Sequence, residues 1–270
     1  MTLLLKVLLF FLAYINISNL SLLNIKDLKQ LVKTSIFIEN WRIQEPYLEK
    51  ELQSKWIGII KKNKLIAHKL GSYTNPNELT SSLKLDNNKL DILEVDLGLK
   101  KNYGLCILNK DKIKNNCDLN NLFNYIVNNN KYLIIDIKES DLYDSINLLN
   151  NKIKDYENPR KLSSLIIYQL YKPNDIKSFI KIVNKSNLKF NTPILTMYRS
   201  HSELKKVTEE IPDFIKVITI PLERKEQIND INKSIDILIM VHPLKTCKEY
   251  IKFKETYDLP VYGPSNLKNC

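Results

Sequence analysis

Short apolar runs alternate with longer polar segments along most of this chain. Eight runs are rich in Ile, Leu and Val: Leu65–Ala67, Asp91–Leu97, Tyr132–Ile137, Ser164–Leu170, Pro193–Tyr198, Phe214–Ile220, Ile235–Val241 and Pro260–Tyr262. The intervening segments have helical periodicity, as in 118–128, 141–156, 173–186, 202–210 and 246–257. Strands that are apolar on both faces and alternate with helices predict a buried parallel sheet.

Eight such strands predict an α/β fold of the (β/α)8 TIM barrel type, spanning residues 63–270. An open doubly wound sheet is the structural alternative. Such a sheet usually carries a glycine-rich phosphate turn after its first strand, and this chain has no such turn there. The pattern therefore favours the barrel.

Polar residues stand at the carboxyl ends of the predicted strands, where barrel enzymes build their sites. They are His68, Glu94, Asp96, Asp136, Lys138, Gln169, Tyr198 and His242, and the eighth strand ends at Gly263 and Pro264. In a barrel these side chains converge on one mouth. Gln169 and Tyr198 are candidates for hydrogen bonds to a substrate, with closure of the barrel mouth as the alternative role.

Three of these residues are candidate metal ligands. Glu94 and Asp96 are two positions apart on one strand, so their side chains point to the same face. Two carboxylates among apolar neighbours are costly unless they are paired or bind a metal. With Asp136 they form an oxygen set suited to Mg²⁺ or Ca²⁺. An ion-pair network with Lys138 is the alternative.

Two histidines and two lysines are candidates for acid–base chemistry and phosphate binding. His68 is a candidate general acid or base, and Lys69 and Lys138 are candidates to neutralise a phosphate. His242 is a second candidate proton carrier. For both histidines the alternative is a structural, hydrogen-bonded residue.

The first residues predict export. Residues 1–17 form a mostly apolar run in which Lys6 is the only charged residue, and such a run is typical of a signal peptide or a short anchor. We therefore expect residues 1–21 to be a signal peptide or membrane anchor and residues 22–62 to be a helical lead-in. The protein is then secreted, periplasmic or membrane-anchored, with possible association with a membrane through its N-terminal segment.

Charge and cysteines add less to this picture. The 41 Lys and Arg residues against 30 Asp and Glu give a net charge of +11, which suits anionic partners such as phosphates or lipid headgroups. Basic blocks are absent, so nucleic acid is not an expected partner. Of the four cysteines, Cys106 and Cys117 are the local candidates for a disulfide, and free thiols are the alternative.

Several motifs, in order, resemble those of the glycerophosphodiester phosphodiesterases. LIAHKLGS, YTNPNEL and ILEVDLGL are similar to the opening of that family, and LIIDIK, IIYQLY, VITIPLER and LIMVHPLK to its later strands. The turn Tyr73-Thr74-Asn75 is similar to that of a divergent branch. The resemblance implies a phospholipase-C-like phosphodiesterase TIM barrel, a divalent metal and hydrolysis of a phosphodiester small molecule or lipid headgroup, as in lipid metabolism.

Carried over by matching position, the resemblance also implies roles. His68 matches the first catalytic histidine and Lys69 the phosphate-binding arginine. The metal-binding carboxylates match Glu94, Asp96 and Asp136, and Lys138 matches the lysine that follows them.

The chain departs from the family at the second catalytic histidine. Asn109 or Lys110 stands at that place, and Lys110 is a candidate to contact substrate. Loss of one of two acid–base groups typically lowers the rate by roughly 10²–10⁴-fold. The sequence therefore supports two hypotheses: an exported, metal-dependent phosphodiester hydrolase, and an inactive barrel that binds a phosphorylated headgroup or glycan.

Overall fold

The structure, a computed structural model, describes residues 45–71, 91–100, 104–108, 117–138, 142–197, 211–227 and 236–263. The expected leader at 1–21, the lead-in up to residue 44 and the expected helix at 202–210 lie outside these residues. In the described ranges, no helix combines the length and apolarity that crossing a membrane requires.

Nine strands and six α-helices make up the described part of the chain. The strands are β1 Leu65–Ile66, β2 Ile92–Lys100, β3 Gly104–Ile107, β4 Tyr132–Ile137, β5 Ile166–Leu170, β6 Ile194–Thr196, β7 Val217–Ile220, β8 Leu238–Val241 and β9 Val261–Tyr262. The helices are α1 Lys50–Asn63, α2 Asn120–Asn128, α3 Leu142–Lys154, α4 Pro159–Leu165, α5 Pro173–Val183 and α6 Cys247–Thr256. Short 3₁₀ turns cover His68–Gly71 and Leu222–Gln227.

Eight of the strands are parallel and follow one another around a barrel. From β4 to β9 each strand pairs with the next one along the chain, and β4 also pairs with β2. Strand β9 pairs with β1. The ring closes at Ala67, whose N–H donates to Ile92 O (3.0 Å) and whose carbonyl accepts from Glu94 N–H (2.9 Å). The predicted (β/α)8 barrel is confirmed.

Two local expectations about strands were wrong. Strand β3 was not expected, and it pairs antiparallel with the end of β2, from Leu97–Ile107 to Lys100–Gly104. This hairpin extends β2 beyond the expected end of its run. Residues 164 and 165 belong to α4, which begins at Pro159 and ends at Leu165, rather than to a strand. The Asn158 side chain accepts from Lys161 N–H (3.2 Å) one residue before that proline.

The hairpin is also covalently fixed. Cys106 on β3 forms a disulfide with Cys117, eleven residues later. This is the local pair that the sequence offered as a candidate. Cys247 is disulfide-bonded as well. The alternative of free thiols was therefore wrong for these three cysteines.

The alternation of side chains along each strand separates the helix layer from the barrel interior. On β5, Tyr168 faces outward and packs its ring against Phe179 of α5 (centroids 5.6 Å apart). Its neighbour Gln169 therefore faces the barrel interior, where it is buried. The apolar stripe of α5 covers this outer face, with Ile176, Phe179 and Ile180 all buried.

Candidate functional site

The barrel brings polar side chains from neighbouring strands to one level. Asp96 pairs with Asp136 across β2 and β4, and Asp136 pairs with Gln169 across β4 and β5. The bridge between Ala67 and Leu93 sets His68 beside Glu94, with 3.9 Å between His68 Nε2 and Glu94 Oε2. His68, Glu94, Asp96, Asp136 and Gln169 are therefore brought together on one side of the barrel.

Three carboxylates form the centre of the site. Glu94, Asp96 and Asp136 are only 0%, 7% and 1% exposed, and one oxygen from each lies within 4.8 Å of the others. Glu94 Oε1, Asp96 Oδ1 and Asp136 Oδ1 are buried and accept no well-aligned hydrogen bond, although Lys138 Nζ lies 3.2 Å from Asp96 Oδ1. Buried carboxylate oxygens without donors are costly, and a cation is the usual partner that offsets this cost.

Two lysines supply positive charge to the same cluster. Lys69 Nζ lies 2.9 Å from Asp96 Oδ2, and Lys138 Nζ contacts both Asp96 and Asp136. The backbone of Lys69 has a φ of 52°, and its N–H donates to Glu94 Oε2 at 2.6 Å. A left-handed conformation at a non-glycine residue costs about 1 kcal/mol or more and is typical of functional sites.

The pKa values of the three carboxyl groups are shifted in different directions. Burial, followed by the charge of Asp96, raises the pKa of Glu94 well above its usual value. Burial also raises the pKa of Asp136, against the opposing effect of Lys138. For Asp96, burial is outweighed by Lys138 and Lys69, so its pKa is lowered. When all five groups are ionised, three carboxylates face two ammonium groups, and one negative charge is left unbalanced.

Both predicted histidines line the same part of the barrel. The rings of His68 and His242 meet edge to face with centroids 5.1 Å apart, and the ring of Tyr262 lies 4.4 Å from that of His242. Burial, with further contributions from His68 and Lys138, lowers the pKa of His242 to about 3. His242 is therefore uncharged at neutral pH.

We expect the imidazole of His242 to remain uncharged from pH 8 down to about pH 5. Its pKa in the folded state is below the unfolded value of about 6.5, so the unfolded chain takes up the proton first. The free energy of unfolding should therefore fall as the pH drops from about 6.5 towards 3. An NMR titration of the three histidines in EDTA, with His242→Asn to assign the signal, tests this. A midpoint near 6.5 for His242 would contradict it.

A chain of hydrogen bonds leads to the Asp136 carboxylate. It includes Tyr171 and Tyr262, which were not among the predicted site residues. Tyr262 OH donates to Gln169 Oε1 (2.9 Å), and Gln169 Nε2 donates to Asp136 Oδ2 (3.2 Å) and Tyr171 OH (2.8 Å). Tyr171 OH also contacts Asp136 Oδ2. The two-residue spacing from Gln169 to Tyr171 was the signal that could have placed Tyr171 on the same face.

Some predicted residues cannot be placed. Tyr198, Lys110, Asn109 and the turn at 73–75 lie outside the described residues. The roles given to His68, Lys69, Lys138 and His242 in catalysis, and to Gln169 in binding substrate, stay predictions.

The three carboxylates fit a hard divalent cation. They offer only oxygen ligands, one atom of each is close to the other two, and each carboxylate has a buried oxygen without an aligned donor. Among the described residues, Glu94, Asp96 and Asp136 are the group of acidic, histidine or cysteine side chains whose ligand atoms lie close enough together to hold an ion.

Three solved structures with a similar fold are phosphodiesterases. A glycerophosphodiester phosphodiesterase from Parabacteroides distasonis has a TM-score of 0.51 at 14% identity, over 76% of this chain and 93% of that one. A phosphodiesterase from Oleispira antarctica, solved with the product sn-glycerol-3-phosphate, has a TM-score of 0.52 at 12% identity, over 76% and 94%. The fold is that of the glycerophosphodiester phosphodiesterases. A third member, from Agrobacterium tumefaciens, has a TM-score of 0.50 at 11% identity, over 76% and 98%.

At these identities the likeness to glycerophosphodiester phosphodiesterases is one of fold. No protein-family model matches the sequence, and no curated protein does. The expected resemblance is confirmed at the level of the fold. The divergent branch stays a prediction.

Proposed function

We propose that this protein is a metal-dependent phosphodiester hydrolase whose site is the cluster of Glu94, Asp96 and Asp136. One observation carries the proposal: the buried carboxylates of Glu94, Asp96 and Asp136 each bring an oxygen within 4.8 Å of the others, and each has an oxygen without an aligned donor. The ring of His68 lies beside them, with Nε2 3.9 Å from Glu94 Oε2. The fold supports it, since the similar solved structures are phosphodiesterases.

Glu94, Asp96 and Asp136 hold the cation, which we propose to be Mg²⁺ or Ca²⁺. When bound, such an ion supplies positive charge that stabilises the phosphoryl oxygens as the reaction proceeds. Lys69 and Lys138 bring two further positive charges to the same place. Their flexible ammonium groups are suited to hold the remaining phosphate oxygens as point charges.

Hydrolysis of a phosphodiester requires two proton transfers. A water oxygen bonds to phosphorus, the bond from phosphorus to the alcohol oxygen breaks, one proton leaves the water and one reaches the alcohol oxygen. His68 is our candidate for one of these transfers, because its ring lies beside Glu94 at the edge of the carboxylate cluster. His242, whose ring lies edge to face against that of His68, is the candidate for the other transfer.

The substrate class that we propose is a glycerophosphodiester or a related phosphodiester. The product complex of the Oleispira antarctica phosphodiesterase contains sn-glycerol-3-phosphate, which is a small phosphate monoester. We further propose that the chain is exported, on the strength of its apolar first residues.

A second candidate function is binding of a phosphorylated headgroup or glycan without turnover. The observation that favours it is that Lys69 and Lys138 form ion pairs with Asp96 and Asp136, two of the three acids of the cluster. A family-type second histidine is also absent from the sequence at its expected position.

The deciding experiment measures hydrolysis of a glycerophosphodiester by the full chain in Mg²⁺, Ca²⁺ or Mn²⁺ and again in EDTA. Cation-dependent release of the alcohol supports the hydrolase, provided that Asp136→Asn loses it and Asp91→Asn keeps it. Asp91 is the matched control because it precedes β2 and pairs with Lys131 (3.0 Å) rather than with the cluster. Saturable binding without release indicates the binding protein. If the protein neither binds the glycerophosphodiester nor hydrolyses it, both proposals are overturned.

A further inference from the structure

Tyr171 stands at the centre of the hydrogen bonds behind the carboxylates. It follows β5, and its hydroxyl contacts Asp136 Oδ2, Gln169 Nε2 (2.8 Å) and Lys138 Nζ (3.3 Å). One phenol therefore touches three strand-end side chains of the site.

The backbone of Tyr171 is fixed by the helix that follows it. Tyr171 N–H donates to Asp175 Oδ2 (2.9 Å), and Lys172 N–H donates to the same oxygen (3.1 Å). Asp175 is buried in the first turn of α5, where its carboxylate accepts from the backbone N–H of the N-cap residue Lys172. The strand end and the helix start together hold Tyr171 in place.

The directions of these hydrogen bonds follow from the donors available. Tyr262 OH donates to Gln169 Oε1, so the amide nitrogen of Gln169 must face Tyr171 and Asp136. The Tyr171 oxygen then accepts from that amide and from the Lys138 ammonium. Its single proton is left to donate to the Asp136 carboxylate.

The two oxygens of Asp136 are consequently in different states. Oδ2 receives donors from Tyr171, Gln169 and Lys138. Oδ1 is equally buried and has no hydrogen-bond partner. A carboxylate held at one oxygen by three donors presents its other oxygen in a fixed direction, which is how supporting side chains orient metal ligands.

We propose that Tyr171 is a positioning residue for the cation site: it holds Asp136 Oδ2 so that Oδ1 is directed to the ion. The proposal rests on the proposed function, because it requires Asp136 to be a ligand. Tyr171 itself does not bind the cation. Its hydroxyl acts through Asp136, with Gln169 and Tyr262 fixing the direction of the donated proton.

Mn²⁺ binding to Tyr171→Phe tests the inference by a readout that needs no turnover. Loss of a side chain that orients a metal ligand typically weakens metal affinity by about 10–100-fold. Free Mn²⁺ is measured by electron paramagnetic resonance during titration of the full chain. The matched control is Tyr168→Phe, the same change three residues earlier on the outer face of β5, where the hydroxyl has no hydrogen-bond partner.

Three outcomes decide the matter. Weaker Mn²⁺ binding by Tyr171→Phe, with wild-type binding by Tyr168→Phe, supports the inference. In that case the Mn²⁺ concentration for half-maximal turnover should rise while kcat at saturating Mn²⁺ changes little, which a general loss of structure does not produce. Equal binding by Tyr171→Phe and wild type overturns the inference and leaves the proposed function standing. No Mn²⁺ binding by the wild type overturns both.

Discussion

Replacing Lys138 with methionine should lower the free energy of unfolding by about 3 kcal/mol at pH 7 in EDTA. The ammonium group lies between Asp96 and Asp136, whose carboxylates are buried. Methionine keeps the apolar stem but leaves two buried negative charges with less compensation. Chemical denaturation followed by circular dichroism measures the difference.

The matched control is Lys189→Met. Both lysine side chains are 39% exposed, but Lys189 pairs with Glu49, which is itself 36% exposed. Exposed pairs contribute roughly 0–1 kcal/mol. Equal losses for the two variants would show that the buried carboxylates do not depend on Lys138.

The difference in the free energy of unfolding between wild type and Lys138→Met should depend on pH. Without the ammonium group the pKa values of Asp96 and Asp136 in the folded state should rise. A carboxyl group whose folded pKa lies above its unfolded value costs nothing below the unfolded pKa of about 4, and its cost grows as the pH rises. The gap between wild type and Lys138→Met should therefore close below about pH 4.

A divalent cation should restore part of the stability lost in Lys138→Met, because the ion replaces the missing positive charge. Ligands that bind only the folded state stabilise it in proportion to the logarithm of their concentration. Millimolar Mg²⁺ or Mn²⁺ is therefore expected to raise the denaturation midpoint of this variant. An unchanged midpoint would count against a cation at these carboxylates.

The barrel could be predicted from the sequence because its strands carry their own signal. Runs such as Tyr132–Ile137 are buried on both faces in the structure and are apolar nearly throughout in the sequence. Strand β3 could not be predicted in this way. It forms because a short segment pairs antiparallel with β2 and is linked to Cys117 by the disulfide from Cys106. Both the pairing and the disulfide are tertiary features.

The carboxylates of the site were predictable for a similar reason. Glu94 and Asp96 repeat with the two-residue period of a strand, and this period alone sets both on one face. The contact between Tyr262 and Gln169 joins residues 93 positions apart, and it forms only when the barrel closes. No local pattern encodes that distance, so the support behind Asp136 became visible only in the fold.

Under the proposed function, His68→Asn should lower kcat/KM for a glycerophosphodiester by roughly 10²–10⁴-fold, the usual effect of removing a general acid or base. Asparagine retains hydrogen-bonding capacity next to Glu94 but cannot exchange a proton near neutral pH. Because the carboxylates are untouched, Mn²⁺ binding should stay close to that of the wild type. Initial rates across pH 5–9 in saturating cation measure the loss.

His242→Asn is the variant to compare with His68→Asn, since the two rings lie edge to face 5.1 Å apart. The two replacements are chemically identical, but burial keeps His242 uncharged at neutral pH, with its pKa lowered to about 3. If His68 is the group that exchanges protons near neutrality, its loss should remove the limb of the pH–rate profile that reflects an imidazole, and the loss of His242 should leave that limb in place. The reverse result would assign the proton transfer to His242, and no effect from either variant would remove both histidines from the chemistry.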